Sequence, residues 1–262
     1  MSKIKTKEEL EKHRDEAILK VQNYMNNLIA SNNSKIQNKA DKFSYWLEDY
    51  ITFLDFEQDF KPDKMRRYKR GEVIKVHLGY NIGSEEGGLH YCVVTDRENS
   101  IYSPVLTVVP LTSVKPWTDI EKLHNTEVYL GNELFTNLSS KISLYNKQLS
   151  EDLQELQGAL ESLIKVETTV SLESSSKQIR ELGTKIEEVK KCIKLLGEMR
   201  LEVQKMKKGS IALTNQLTTV SKIRIYNPKT NNDVLSNIKL SNDKLDSIDS
   251  RIGKYYTNLI KD

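Results

Sequence analysis

Four histidines and two cysteines hold most of the side-chain chemistry this chain can run near neutral pH. His13, His77, His90 and His124 stand at no metal-ligand spacing with Cys92 or Cys192, so no metal site is expected. His90 and Cys92 lie two residues apart in a strand-like run, and alternation sets both on one face. A Cys–His nucleophilic pair needs a geometry that same-strand neighbours seldom reach, so Cys92 reads as a packed strand residue. Ser84 lacks the surroundings of a nucleophile elbow. Around it, the loop 79–88 sets Asn81, Ser84, Glu85 and Glu86 among four glycines. Such a loop can carry polar groups over a ligand, with glycine admitting close backbone approach, or it can simply close a strand pair. No strand–loop–helix context follows it, so it is not a nucleotide-binding glycine motif.

Strands must position these residues. Val73, Ile74, Val76 and Leu78, then 91–95, then 105–110, are short β-branched or apolar runs between glycine- or proline-marked turns. That spacing predicts a small twisted antiparallel sheet, since no helix between the runs is long enough for a parallel crossover. Further strand signals stand at 210–212, 218–220 and 223–225, and Ser241 is the expected N-cap of a last helix carrying Leu245, Ile248, Ile252 and Leu259.

Helical periodicity surrounds and interrupts this sheet. Thr6 and Glu9 have capping-box spacing, and Ile18, Val21, Met25, Leu28 and Ile29 recur behind them. After a polar break at 31–34, Phe43, Trp46, Leu47, Tyr50, Ile51 and Leu54 form an aromatic stripe, suited to packing on a neighbouring domain or to binding a partner. Beyond Gly131, Phe135, Leu138, Ile142, Tyr145 and Leu149 run into Leu153, Leu156, Leu160 and Leu163 through one stutter. Ile179, Leu182, Ile186, Val189, Ile193 and Leu196 form a second heptad run. A polar connection at 165–176 joins two runs of similar length. These fold back as an antiparallel hairpin or pair as a long parallel dimer, and the matched lengths favour the hairpin.

Composition sets the outer limits. The 262 residues are 37% hydrophobic and 29% charged, which fits a small globular core joined to exposed helices. A net charge of +3 does not by itself call for a nucleic-acid partner, although 61–70 (KPDKMRRYKR) is locally basic. No apolar run approaches the roughly 18 residues of a membrane span, and the charged start lacks a signal-peptide core. Two reduced thiols in a cytoplasmic protein are the expectation.

The most specific elements are Arg70-Gly71, Asn81-Ile82-Gly83-Ser84-Glu85, Gly87-Gly88, Tyr102-Ser103-Pro104 and Val109-Pro110-Leu111-Thr112-Ser113. Through them this stretch is similar to the amino-terminal half of the MazF/PemK toxin family. Gly209-Ser210, Gln216, Thr219, Lys222 and Arg224 resemble the family's second half. The resemblance implies an α+β fold: a small antiparallel β-barrel, SH3-like in build, split by an inserted coiled-coil hairpin and preceded by helices. The expected segments are 1–62 for the helical extension, 63–130 and 207–262 for the two halves, and 131–206 for the hairpin.

The implied activity is endoribonuclease cleavage of single-stranded RNA without metal or cofactor, by a homodimeric toxin held by a cognate antitoxin. Catalysis falls to Thr112 and to the position of the family's arginine, here His90. RNA contacts fall to Asn81, Ser84, Glu85, Ser113 and Gln216. Arginine stabilises phosphate charge but is a poor proton acceptor, whereas histidine can give or take a proton at neutral pH. Arg97, Lys75 or a second subunit would then supply charge. The alternative implied by the histidine and the helical additions is an inactive module that binds RNA, DNA or protein. In a third reading the helices cover the site as a built-in antitoxin.

Overall fold

Thr6 starts the first helix by a reciprocal pair of hydrogen bonds. The Glu9 N–H donates to the Thr6 hydroxyl at 3.2 Å, and the Thr6 N–H donates to the Glu9 carboxylate at 2.8 Å. Helix α1 runs Lys7–Ile29, and after the break Asn33 caps α2, Ser34–Glu57, by accepting from the Lys35 N–H at 2.9 Å. The computed structural model that shows this describes residues 5–165 and 172–257. The chain divides into two units: the described residues up to Phe60 with Gly79–Ser84, and the remainder. In the first unit α1 buries no residue and α2 buries only Ala40. Its order comes from aromatic contacts: Tyr24 edge-on to Phe43 at 5.8 Å, and Phe43 against Tyr80 at 5.0 Å.

The second unit is an open antiparallel sheet of seven strands with helices. The strands are β1 Val73–His77, β2 Leu89–Val94, β3 Val105–Ser113, β4 Glu127–Gly131, β5 Ser210–Leu213, β6 Thr218–Ser221 and β7 Ile225–Asn227. Their order is β4-β5-β3-β2-β1-β7. The long β3 pairs with β6 through its first half and with β5 through its last three residues.

Alternation along the strands divides the apolar residues between two cores. Val73, Val93, Val109 and Leu111 face one core, and Ile74, Cys92, Val94, Leu106 and Val108 face the other. The first core is roofed by the last helix, α5 (Asn242–Tyr256), through Leu245 and Ile248. Arg70 ties the two layers by donating to the Thr95 carbonyl and to Asp249 of α5. Beside it Gly71 has φ +82°, and a Cβ there would sit 2.6 Å from Leu245, so only glycine fits.

Helices α3, Glu133–Lys165, and α4, Leu172–Lys205, leave and re-enter the sheet at paired positions, for Gly131 of β4 stands opposite Ser210 of β5. Their apolar rows pack Leu156, Leu182 and Val189 with Leu149, Ala159 and Leu163. Glu155 pairs with Lys185, and Arg200 donates to Asn146 at 3.0 Å. Partner numbers rise on one helix as they fall on the other, so the two helices are antiparallel. At 33 and 34 residues, each spans about 50 Å. Most of the connection at 165–176, and Leu259, lie outside the described residues or their described side chains.

Three local expectations change. Strand β4 has no counterpart among the strands expected from the sequence. The segment expected as a strand at 223–225 begins as a 3₁₀ turn, Lys222–Arg224, and extends only from Ile225. Ser241 is the N-cap residue of α5, as expected, but its side chain makes no capping hydrogen bond. Its hydroxyl donates instead to Glu133 of α3 at 3.2 Å, joining two helix starts.

Candidate active site

Neighbouring strands bring His90 and Thr112 to one cleft. Strands β2 and β3 pair Cys92 with Pro110, and the same register continued by two residues sets His90 level with Thr112. The His90 ring confirms that the strands stay close, because its Nδ1 lies 3.3 Å from the Leu111 carbonyl oxygen. A carbonyl oxygen only accepts, so this contact calls for a proton on Nδ1. Nε2 points to the Glu86 carboxylate at 3.4 Å. Glu86 is held in turn by its backbone N–H, which donates to the Gln216 side-chain oxygen at 3.3 Å. The resemblance points to Glu85, which is exposed, whereas its neighbour Glu86 is the carboxylate that meets His90.

A cleft of about 230 Å³ opens where these strands meet the end of α4. His90, Thr112 and Ser113 line it together with Lys115, Lys205 and Lys207. Lys115 donates to the Ser113 hydroxyl at 3.3 Å. Lys205 is the last residue of α4 and Lys207 follows two residues on, so the inserted hairpin delivers two cations to the cleft as it returns to the sheet. Sequence reasoning misses these three lysines; the run KMKKG at 205–209, just past the last heptad, is the signal that could have found two of them.

Lys75 is employed elsewhere. Its ammonium lies 2.6 Å from the Glu202 carboxylate of α4, which also accepts from the Tyr91 hydroxyl. Burial works to raise the Glu202 carboxyl, but the hydrogen bonds from Lys75 and Tyr91 and the charges of Lys75 and Lys205 outweigh it and hold it below the usual carboxylate range. Burial and the Glu202 carboxylate together push the Tyr91 phenol upward. This network fixes the end of α4 against β1 and β2, and so fixes where Lys205 stands. Arg97 is exposed beyond the opposite end of β2.

Cys92 is fully buried, its Sγ 3.9 Å from the His90 backbone carbonyl oxygen, and burial pushes its thiol up. It is a packing residue, and both cysteines are free thiols. Gln216 ends a short 3₁₀ turn, Thr214–Gln216, in the same unit as His90, whereas Asn81 and Ser84 belong to the unit of the amino-terminal helices. Among the described residues, no group of three or more His, Cys, Asp or Glu side chains is placed to hold a metal ion, and no helix is long and apolar enough to cross a membrane.

No protein-family model matches the chain, and no curated protein matches it significantly. What the molecule itself defines is an α+β protein with an open antiparallel sheet, beside which a histidine, four hydroxyl-bearing residues and three lysines line one cleft.

Proposed function

We propose that this protein is a metal-independent, sequence-selective endoribonuclease of MazF/PemK type, its split sheet a variant of that family's barrel, acting on single-stranded RNA as the toxin of a toxin–antitoxin pair in the cytoplasm. The observation that carries the reading is the cleft itself. It joins a proton-transfer group, His90, to a hydroxyl, Thr112, within a ring of Lys115, Lys205 and Lys207 suited to a phosphodiester.

In the reaction, the ribose 2′-oxygen attacks phosphorus, the P–O2′ bond forms and the P–O5′ bond breaks. The products are a 2′,3′-cyclic phosphate and a free 5′-hydroxyl. One group accepts the 2′ proton and another protonates the 5′ oxygen. His90, with Nδ1–H anchored on the Leu111 carbonyl, makes one of these transfers through Nε2 once the Glu86 carboxylate, 3.4 Å away, gives that nitrogen up to the substrate. Thr112 donates to a phosphoryl oxygen, and the lysines offset its developing charge. Asn81, Ser84, Glu85, Ser113 and Gln216 remain the proposed contacts to RNA.

Purified protein incubated with single-stranded RNA and a metal chelator tests this. Wild type is expected to cleave, with His90→Ala and Thr112→Ala each slower by about 100-fold or more. Equal cleavage by all three proteins sinks the assigned site. A second reading, a nucleic-acid-binding module without chemistry, draws on the acceptors that engage both His90 nitrogens. It predicts RNA retention without cleavage, unchanged in His90→Ala.

A further inference from the structure

The hairpin carries more apolar surface than two helices can bury on each other. In α4, Leu182, Val189 and Leu196 recur every seven residues and are buried. Ile179, Ile186 and Ile193 recur at the same spacing and remain 40–61% exposed. In α3, Leu156 is buried with Leu149 and Leu163 packed around it, whereas Leu153 and Leu160 are each 48% exposed.

At about 100° per residue, each exposed row lies about 60° from its buried row, turned in the same sense about its own helix. The helices are antiparallel, and equal rotations about opposed axes bring both rows to one face of the hairpin. The Glu155–Lys185 pair, rotated the other way, closes the opposite face. Gly183 and Gly197 lie beside the isoleucine row, and a Cβ added at either would meet nothing in this chain. Glycine inside a helix is unfavourable relative to alanine, so its place here suits a second helix approaching closely.

Charge selects the occupant. Apart from Glu155, already paired on the opposite face, residues 148–163 of α3 carry Glu151, Asp152 and Glu161 and no lysine or arginine. Apart from Lys185, residues 177–196 of α4 carry five basic and three acidic side chains. We propose that two copies of this chain pair through this strip into a four-helix bundle, with the hairpins pointing the same way and α3 of each protomer lying on α4 of its partner. A two-fold axis along the hairpins gives that arrangement and sets acidic helix on basic helix. The other face-to-face two-fold would stack α3 on α3 and α4 on α4, like charge on like. Register agrees: the Glu155–Lys185 level sets Leu153 with Ile186 and Leu160 with Ile179, so each exposed leucine meets an isoleucine across the axis. This pairing is independent of the proposed RNA chemistry.

Sedimentation of the full-length protein tests it. Wild type is expected to be a dimer at micromolar concentration, and Ile186→Glu with Ile193→Glu to weaken the dimer by about 100-fold or more at unchanged helicity. A monomeric wild type, or a dimer indifferent to the double variant, overturns the proposal. Cysteine cross-linking reads the orientation without disturbing the fold. In a Cys192→Ser background, a mixture of Leu153→Cys and Ile186→Cys chains is expected to cross-link, and neither chain alone. Cross-links confined to like chains, or none, overturn the arrangement.

Discussion

The root and the body of the inserted hairpin are written in the same heptad spacing and end in different surroundings. At the root, Leu134, Leu138 and Met199 are buried in the core beneath the sheet. In the body, only every second apolar position is covered, and the rest form an exposed strip. The root therefore belongs to the globular unit in energetic terms, and from it come Lys205 and Lys207 of the cleft. The body belongs to whatever closes on it. Periodicity alone marks which face of a helix is apolar; it does not say whether a sheet, a partner helix or a second molecule lies on that face.

The largest effect that sharpens this contrast is a core truncation at the root. Leu138→Ala should destabilise the fold by about 2–5 kcal/mol through lost burial and a residual cavity, read by denaturant melts. Ile186→Ala in the body should cost well under that in the isolated monomer. Next is Lys141 of α3, whose ammonium donates to the Asp233, Val234 and Ser236 carbonyls at 3.1, 2.9 and 2.8 Å. Lys141→Met leaves three acceptors unanswered and should cost about 1–3 kcal/mol in the same melts. Gly197→Ala should act oppositely at two levels. It should stabilise the monomer by roughly 0.5–1 kcal/mol in thermal melts, because alanine favours helix, while loosening the dimer in sedimentation.

The mildest test is pH. The folded Glu202 carboxyl is held below its ordinary value of 4.5, so the unfolded chain binds its proton more readily. Its contribution is therefore present above about pH 4.5 and is lost as pH falls through the lower folded value. Glu202→Gln should flatten that part of the acid stability profile and leave the neutral part lower.

Much of this architecture is legible in the order of the residues. Short β-branched or apolar runs between turn residues mark β1 to β3 because each strand is half or wholly buried, and the Thr6–Glu9 capping box is a purely local device. Strand β4 escapes because its partner, β5, is brought beside it only by the fold of the intervening hairpin. Lys222–Arg224 escapes because a 3₁₀ turn and a strand end share the same apolar spacing. At the site, His90 and Thr112 are legible through a resemblance. Lys115, Lys205 and Lys207 are not, since they come from a loop and a distant helix end that meet only in three dimensions. The choice between Glu85 and Glu86 turns on a one-residue difference in a loop, which spacing does not resolve.

The proposed reaction is cleavage of RNA in the His90–Thr112 cleft through the substrate's own 2′-hydroxyl. The most direct measurement is the end chemistry of RNA fragments made by wild-type protein in the presence of chelator. The expected ends are 5′-hydroxyl and 2′,3′-cyclic phosphate at a short recurrent sequence, vanishing in His90→Ala. Ends bearing a 5′-phosphate, or identical fragments from the variant, would contradict it.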